Sequence, residues 1–136
     1  MKKCSILIAD DNFDDQNFIK EALLAWHPDC EIHYVYNGNQ LMDFVLQKGR
    51  YKQSNTLPHG IILDLHMPFL NGFEVLQSLT HHSVGIPVYV LSGMDSRRDA
   101  TRVLKFGARG HYTKPGSLKE YKDIMKEILA DLYKKK

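Results

Sequence analysis

Residues 60–64 read Gly-Ile-Ile-Leu-Asp, an apolar run that ends in a carboxylate. A short, uninterrupted apolar run of this kind is typical of a strand that is buried on both faces of a parallel sheet. Two other segments share the pattern: Ser-Ile-Leu-Ile-Ala at 5–9, followed by Asp10 and Asp11, and Pro-Val-Tyr-Val-Leu at 87–91, followed by Ser92. The three runs predict a central parallel sheet with polar groups at the carboxyl ends of its strands.

Helical stretches separate the apolar runs along the whole chain. Apolar residues recur at helical spacing within 14–26, 41–46, 73–80, 97–106 and 118–133, and two more strands are predicted at 32–36 and 110–113. Parallel strands joined by helices need right-handed crossovers, so we predict an α/β fold. The expected form is a flavodoxin-like, doubly wound parallel sheet of five strands in the order 2-1-3-4-5, with five helices. Residues 1–136 are expected to form a single domain without an effector domain.

Composition and charge exclude several functional classes. The chain is 43% apolar and 25% charged, as in globular proteins, and its 18 basic and 16 acidic residues leave a net charge of +2, too small to indicate nucleic acid binding. No apolar stretch approaches the roughly 20 residues of a membrane span. The apolar run near the start stops at Asp10 without a signal cleavage site. We expect a cytoplasmic protein with no nucleic acid or membrane partner.

The two cysteines, Cys4 and Cys30, each begin a predicted strand. If those strands are neighbours in the sheet, the two side chains lie close together. Because the cytoplasm is reducing, we expect a pair of small buried side chains rather than a structural disulfide.

Polar side chains gather where the strands end. Ligands of doubly wound sheets bind beyond the carboxyl ends of the strands, and this edge receives Asp10, Asp11, Asp64, Ser92 and Lys114. Each aspartate alone is explained as a helix cap or an Asx turn, although Asp14 or Asp15 is the more natural cap of the first helix. Three close carboxylates repel one another, and either protonation or a cation must offset that repulsion. Mg²⁺ suits this need because it binds one or two carboxylates and leaves room for phosphate oxygens.

Taken together, these groups indicate phosphoryl transfer. Asp64 ends the central strand before a rigid turn, which makes it the candidate nucleophile that forms an acyl phosphate. Asp10 and Asp11 would hold the metal, one directly and one through water. Lys114 adds a point charge for an anion and Ser92 adds a hydrogen-bond donor.

Five segments carry a resemblance to a known family: Ile-Ala-Asp-Asp-Asn at 8–12, Leu-Asp-Leu-His-Met-Pro at 63–68, Asn-Gly at 71–72, Leu-Ser-Gly at 91–93 and Thr-Lys-Pro at 113–115. In their order and spacing, over essentially its whole length, the sequence resembles a receiver domain of bacterial two-component response regulators, of the stand-alone, single-domain type. The loop from Lys48 to Leu57 is similar to that of stand-alone receivers that work with phytochrome-type or other hybrid kinases.

The resemblance implies a phosphorelay function that switches protein–protein contacts. Asp64 would accept a phosphoryl group from a phosphohistidine on a sensor histidine kinase or phosphotransfer protein. Asp11, Asp64 and the backbone carbonyl of His66 would ligate Mg²⁺, while Asp10 acts mainly through water. Such a protein is not an enzyme beyond its own autophosphorylation and autodephosphorylation. Helix 4, strand 5 and helix 5 would form the output surface and the interface of a homodimer.

The same resemblance implies local details around the acceptor. Lys114 would pair with the acceptor carboxylate or its phosphate, and the bond from Lys114 to Pro115 would be cis, which a following proline permits. Ser92 would move toward the phosphate on activation. Gly93, without a side chain, would leave the pocket open to the donor.

The sequence departs from the family three residues before Lys114, where the family has a Tyr or Phe and this chain has His111, followed by Tyr112. Two interpretations remain open. Either His111 performs the switch, with sensitivity to pH near neutrality, or the ring switch is muted and helix 4 moves alone. His66 and Met94 occupy positions at which the family tunes the lifetime of the phosphate.

Two other functional classes are weighed against this one. A phosphohydrolase of the haloacid dehalogenase type also uses an aspartyl phosphate, but it needs a second Asp where this chain has His66. A flavodoxin-like electron carrier shares the strand order, but the acids after the first strand would repel its cofactor phosphate.

Overall fold

The computed structural model describes residues 4–52, 57–93 and 97–134. Strands and helices alternate in the order β1 (Ser5–Ala9), α1 (Phe13–Trp26), β2 (Glu31–Val35), α2 (Gly38–Leu46), a short 3-10 helix (Gly49–Tyr51), β3 (Gly60–Leu63), α3 (Gly72–His81), β4 (Val88–Ser92), α4 (Arg97–Lys105), β5 (Gly110–Thr113) and α5 (Leu118–Leu132). The five strands form one parallel sheet in the order β2-β1-β3-β4-β5. The predicted fold class and strand order are confirmed.

The sheet separates two hydrophobic layers. On one face, Leu7, Ile61 and Val90 pack with α2, α3 and Val103 of α4. On the other face, apolar residues of β1, β3 and β4 pack with α1 and α5, and all of β1 is buried. Burial on both faces explains why these strands have continuous apolar runs rather than alternating ones.

Asparagine side chains begin three of the helices. Asn12, Asn37 and Asn71 each accept a hydrogen bond from a backbone N–H in the first turn of α1, α2 and α3. The expectation that Asp14 or Asp15 caps α1 is wrong, because the helix begins at Phe13 and both acids lie inside its first turn. There they interact favourably with the positive end of the helix dipole.

The two cysteines form a disulfide, so the expectation of two unpaired thiols is wrong. Parallel pairing of β1 with β2 places Ser5 opposite Glu31, which brings the residue before each strand into register. The Cα atoms of Cys4 and Cys30 are consequently 4.5 Å apart, within the range of disulfides. The bond joins the amino ends of the two strands.

Close packing fixes the loop that follows β3. Gly72 begins α3 directly against this loop, and a Cβ atom at that position would lie 2.7 Å from the Cα atom of Leu65. Gly72 N–H also donates to the Leu65 carbonyl at 2.9 Å. Only glycine allows this approach, and it holds in place the chain that carries Asp64.

Among residues 4–52, 57–93 and 97–134, no helix combines the length and the apolar character needed to cross a membrane.

Candidate functional site

Three carboxylates converge at the carboxyl edge of the sheet. Asp10, Asp11 and Asp64 each contribute an oxygen atom to a group whose members all lie within 4.8 Å of one another. Asp10 and Asp64 are buried, whereas Asp11 is exposed. The cluster therefore combines two carboxylates shielded from water with one at the entrance of the crevice.

The backbone ladder of the sheet places the two buried acids. Asp64 N–H donates to the Ala9 carbonyl at 2.9 Å, and Asp10 N–H donates to the Val35 carbonyl at 3.2 Å. These bonds extend the pairing of the central strands by one residue beyond their ends. The backbone position of each acid is thus fixed by the hydrogen bonding of the sheet.

Both buried acids also form local turns. Asp10 Oδ1 accepts a hydrogen bond from Asn12 N–H at 2.9 Å, and Asp64 Oδ1 accepts one from His66 N–H at 3.1 Å. This is the ordinary Asx turn of an aspartate that follows a strand. It uses one oxygen of each carboxylate, and the second oxygen of each faces Lys114.

Lys114 is the cation of the site. Its Nζ atom lies 2.8 Å from Asp15 Oδ2, 2.9 Å from Asp10 Oδ2 and 3.4 Å from Asp64 Oδ2. Burial by itself lowers the pKa of Lys114, but the surrounding carboxylates outweigh it and raise that pKa above its usual value. The ammonium therefore stays charged beside the acids.

The pKa of Asp10 is raised to about 6, first because the carboxyl group is buried and second because Asp64 repels its negative charge. The hydrogen bond from Asn12 and the charge of Lys114 only partly offset these two causes. One ammonium thus does not fully neutralise the cluster.

The residues present fit a divalent metal ion. Carboxylate oxygens are the ligands that hard cations such as Mg²⁺ and Mn²⁺ prefer, and Asp10, Asp11 and Asp64 supply three of them from one crevice. The repulsion that raises the pKa of Asp10 is the kind that such a cation relieves.

The peptide bond between Lys114 and Pro115 is trans, as are all peptide bonds among the residues that the structure describes. The expectation of a cis bond is wrong. The trans form is the intrinsically favoured one, and from it the Lys114 side chain already reaches three carboxylates.

Ser92 and His111 form a pair next to the acids. Ser92 is fully buried at the end of β4, and its Oγ atom lies 3.2 Å from Nε2 of His111 on β5. Tyr112 points to the opposite face of the sheet, where it packs against the layer of α1 and α5. Of the neighbouring residues His111 and Tyr112, His111 is therefore the one that contacts Ser92.

Of the other residues named from the sequence, the structure describes His66 and Gly93. The side chain of His66 is exposed. A Cβ atom at Gly93 would meet no atom within 4 Å, so there is open space beside this residue. Met94 lies outside the described residues.

Sequence reasoning missed two residues of α1. Gln16 is buried, and its Nε2 atom donates to the carbonyl oxygens of Asp10 at 2.7 Å and Val35 at 3.2 Å. Asp15, interpreted as a helix cap, instead forms the shortest contact of Lys114. Gln16 could have been found from the sequence, because it is an amide on the apolar side of α1. Asp15 could not, because its partner Lys114 is 99 residues away in the chain.

Comparison with known proteins agrees with this geometry. The family description "Response regulator receiver domain" matches residues 6–126. A 55-residue stretch is 46% identical to the cell cycle response regulator CtrA of Brucella ovis, covering 40% of this chain and 24% of that protein. The chain thus matches about a quarter of the length of this curated relative.

Two solved structures are similar over nearly the whole chain. The phosphorylated cyanobacterial phytochrome response regulator RcpA aligns with a TM-score of 0.87 and 28% identity, covering 98% of this chain and 96% of that one. The Mn²⁺-bound form of the response regulator Rcp1 aligns with a TM-score of 0.84 and 27% identity, covering 98% and 97%. From the family match, the fold and the acidic crevice, we conclude that the chain belongs to the response regulator receiver domain family of two-component systems.

Proposed function

We propose that the protein accepts a phosphoryl group on Asp64 from a phosphohistidine of a sensor histidine kinase or phosphotransfer protein, in a reaction that depends on Mg²⁺. The observation that carries this proposal is the position of Asp64 Oδ2, 3.4 Å from the Lys114 ammonium and within the cluster formed with Asp10 and Asp11. The proposed nucleophile, an ammonium group and a set of possible metal ligands thus share one crevice.

In the proposed reaction, an oxygen of Asp64 forms a bond to phosphorus while the bond from phosphorus to the donor nitrogen breaks. The product is an acyl phosphate, and the electron pair of the broken bond leaves with the imidazole. Lys114, whose ammonium lies 3.4 Å from Asp64 Oδ2, stabilises negative charge on the phosphoryl oxygens. Asp11, Asp64 and the His66 carbonyl would hold Mg²⁺, with Asp10 acting through water, and the ion would supply further positive charge for those oxygens.

Ser92 is proposed to sense the new group. Its hydroxyl can donate a hydrogen bond to a phosphoryl oxygen, and doing so changes its contact with His111, which lies 3.2 Å away. Because β5 carries His111 and packs against α4, we propose that this contact transmits the state of Asp64 to a surface formed by α4, β5 and α5. The same surface is proposed to bind the output partner, including a second copy of the chain.

The phosphohydrolase alternative receives no support from the residues of the crevice. It requires a second aspartate at position 66, and the residue there is His66. We propose a signalling module whose only reactions are its own phosphorylation and dephosphorylation. A cytoplasmic location and the absence of nucleic acid and membrane partners stay predictions.

Incubation with acetyl phosphate and Mg²⁺, followed by intact-protein mass spectrometry, tests the acceptor. The parent is expected to gain the mass of one phosphoryl group, and chelation of Mg²⁺ with EDTA should prevent the gain. Asp64→Asn is expected to remain unmodified, whereas Asp14→Asn, which changes an exposed acid of α1, should be modified like the parent. Modification of Asp64→Asn to the level of the parent would overturn the assignment. Phosphotransfer profiling against purified kinases would then identify the donor.

A further inference from the structure

The acceptor carboxylate is not the nearest partner of the Lys114 ammonium. Asp15 on α1 lies 2.8 Å from Nζ, whereas Asp64 lies 3.4 Å from it. The side chain of Lys114 is 18% exposed and that of Asp15 is 26% exposed, so the contact is partly shielded from water. The ammonium is thus drawn to a residue that the proposed reaction does not use.

Asp15 is held in this position from two directions. Its backbone N–H donates to the Oδ1 atom of the capping residue Asn12 at 2.9 Å, which fixes the first turn of α1. From α5, Tyr121 faces the same carboxylate, and burial followed by the charge of Asp15 raises the pKa of Tyr121 to about 12. Asp15 is not one of the three acids placed to share a metal ion. Its carboxylate instead contacts the Lys114 ammonium.

We propose that Asp15 is a positioning residue that holds the Lys114 ammonium toward α1 in the unphosphorylated protein, so that Lys114 must exchange Asp15 for phosphoryl oxygens when Asp64 is modified. This inference rests on the function proposed above. It adds a resting partner for the lysine, one that competes with the phosphoryl group.

The competition follows from charge. The phosphoryl group on Asp64 carries about two negative charges, and Asp15 carries one, yet a single ammonium lies between them. Asp15 thus opposes the phosphorylated state twice, by retaining Lys114 and by repelling the phosphoryl oxygens. Removal of its charge should favour that state about fivefold, the upper size for one partly exposed ion pair.

Binding of beryllofluoride, which imitates a phosphoryl group on aspartate, measures this preference at equilibrium. The affinity is determined by ¹⁹F NMR titration at saturating Mg²⁺. Asp15→Asn, which keeps the shape of the side chain and removes its charge, is expected to bind about fivefold more tightly than the parent. Asp15→Glu, which keeps the charge, and Asp14→Asn, which changes the exposed neighbour, should stay within about twofold.

A gain of affinity is a result that structural damage does not produce. Affinity for Mg²⁺ alone is measured as well, because loss of a nearby negative charge can only weaken it. Unchanged or weaker beryllofluoride binding by Asp15→Asn overturns the inference, as does an equal gain in Asp15→Glu. If Asp15→Asn does not fold, Asp15→Ser provides the same comparison. A parent that binds no beryllofluoride overturns the proposed function itself, whereas a binding parent with an unresponsive Asp15→Asn overturns only the inference.

Discussion

Ser92 Oγ and His111 Nε2 lie 3.2 Å apart, so the hydroxyl at the end of β4 contacts an imidazole on the neighbouring strand. His111 occurs where the family has a ring without a titratable group near neutrality. The tautomer and the charge state of the imidazole together decide whether Nε2 accepts a hydrogen bond from Ser92 or donates one to it.

Stability should fall at acid pH because of His111. Burial lowers the pKa of His111, and the charge of Asp99 on α4 opposes this shift without cancelling it. Since the folded-state pKa is below the unfolded value of about 6.5, the unfolded chain binds more protons between the two values. The contribution of His111 is complete above pH 6.5 and is lost as the pH falls through 6.5 toward the folded-state pKa.

Urea unfolding between pH 5 and pH 8 checks this expectation. His111→Gln should lose less free energy of unfolding than the parent on acidification. His66→Gln, which changes an exposed imidazole, should follow the parent. Identical pH slopes for the parent and His111→Gln would contradict the role given to burial.

Mg²⁺ should stabilise the folded protein, because the folded state gathers Asp10, Asp11 and Asp64 and the unfolded chain does not. At a hundred times its dissociation constant the ion would add about 2.7 kcal/mol. Thermal unfolding followed by circular dichroism, with and without Mg²⁺, measures the effect. Asp11→Ala should lose most of the response, and Asp14→Ala should retain it. Equal responses of the two variants would place the metal elsewhere.

Replacement of Gln16 should destabilise the fold and weaken metal binding by the acidic cluster. The amide satisfies the buried carbonyls of Asp10 and Val35, and Gln16→Met leaves both without this donor. We expect a loss of about 1–3 kcal/mol in the free energy of unfolding, together with weaker Mg²⁺ binding. Gln77→Met, on the exposed side of α3, is the matched control and should change neither. A variant as stable as the control would show that the amide has no such role.

Reduction of the disulfide should destabilise the protein. Cys4 and Cys30 are separated by 26 positions in sequence, and a cross-link across a loop of that length contributes roughly 3 kcal/mol in the chain-entropy account. Urea unfolding with and without dithiothreitol measures the difference, and a thiol assay reports how much of the bond is reduced. The Cys4→Ala, Cys30→Ala double variant should not respond to dithiothreitol. If full reduction leaves the unfolding midpoint of the parent unchanged, the expected stabilisation is absent.

The parallel sheet follows from local patterns in the sequence. Apolar runs such as 5–9 and 60–64 can be buried on two faces only inside a parallel sheet with helices on both sides. The acids that end those runs then meet at one edge by topology alone. This is why the sequence predicts that Asp10, Asp11 and Asp64 lie together, as they do in the structure.

Contacts that depend on how a helix is rotated could not be predicted in the same way. The pairing of Asp15 with Lys114 joins residues 99 positions apart and depends on the face that α1 turns toward β5. The bond between Cys4 and Cys30 depends likewise on the register of two strands. Neither the composition of a protein nor its redox compartment predicts the register of two strands.

The open space beside Gly93 makes this position suitable for graded substitution in protein engineering. A Cβ atom there would meet no atom within 4 Å, so side chains of graded size can be introduced without rebuilding the scaffold. Such a series would change the space next to Ser92, the last residue of β4, in graded steps.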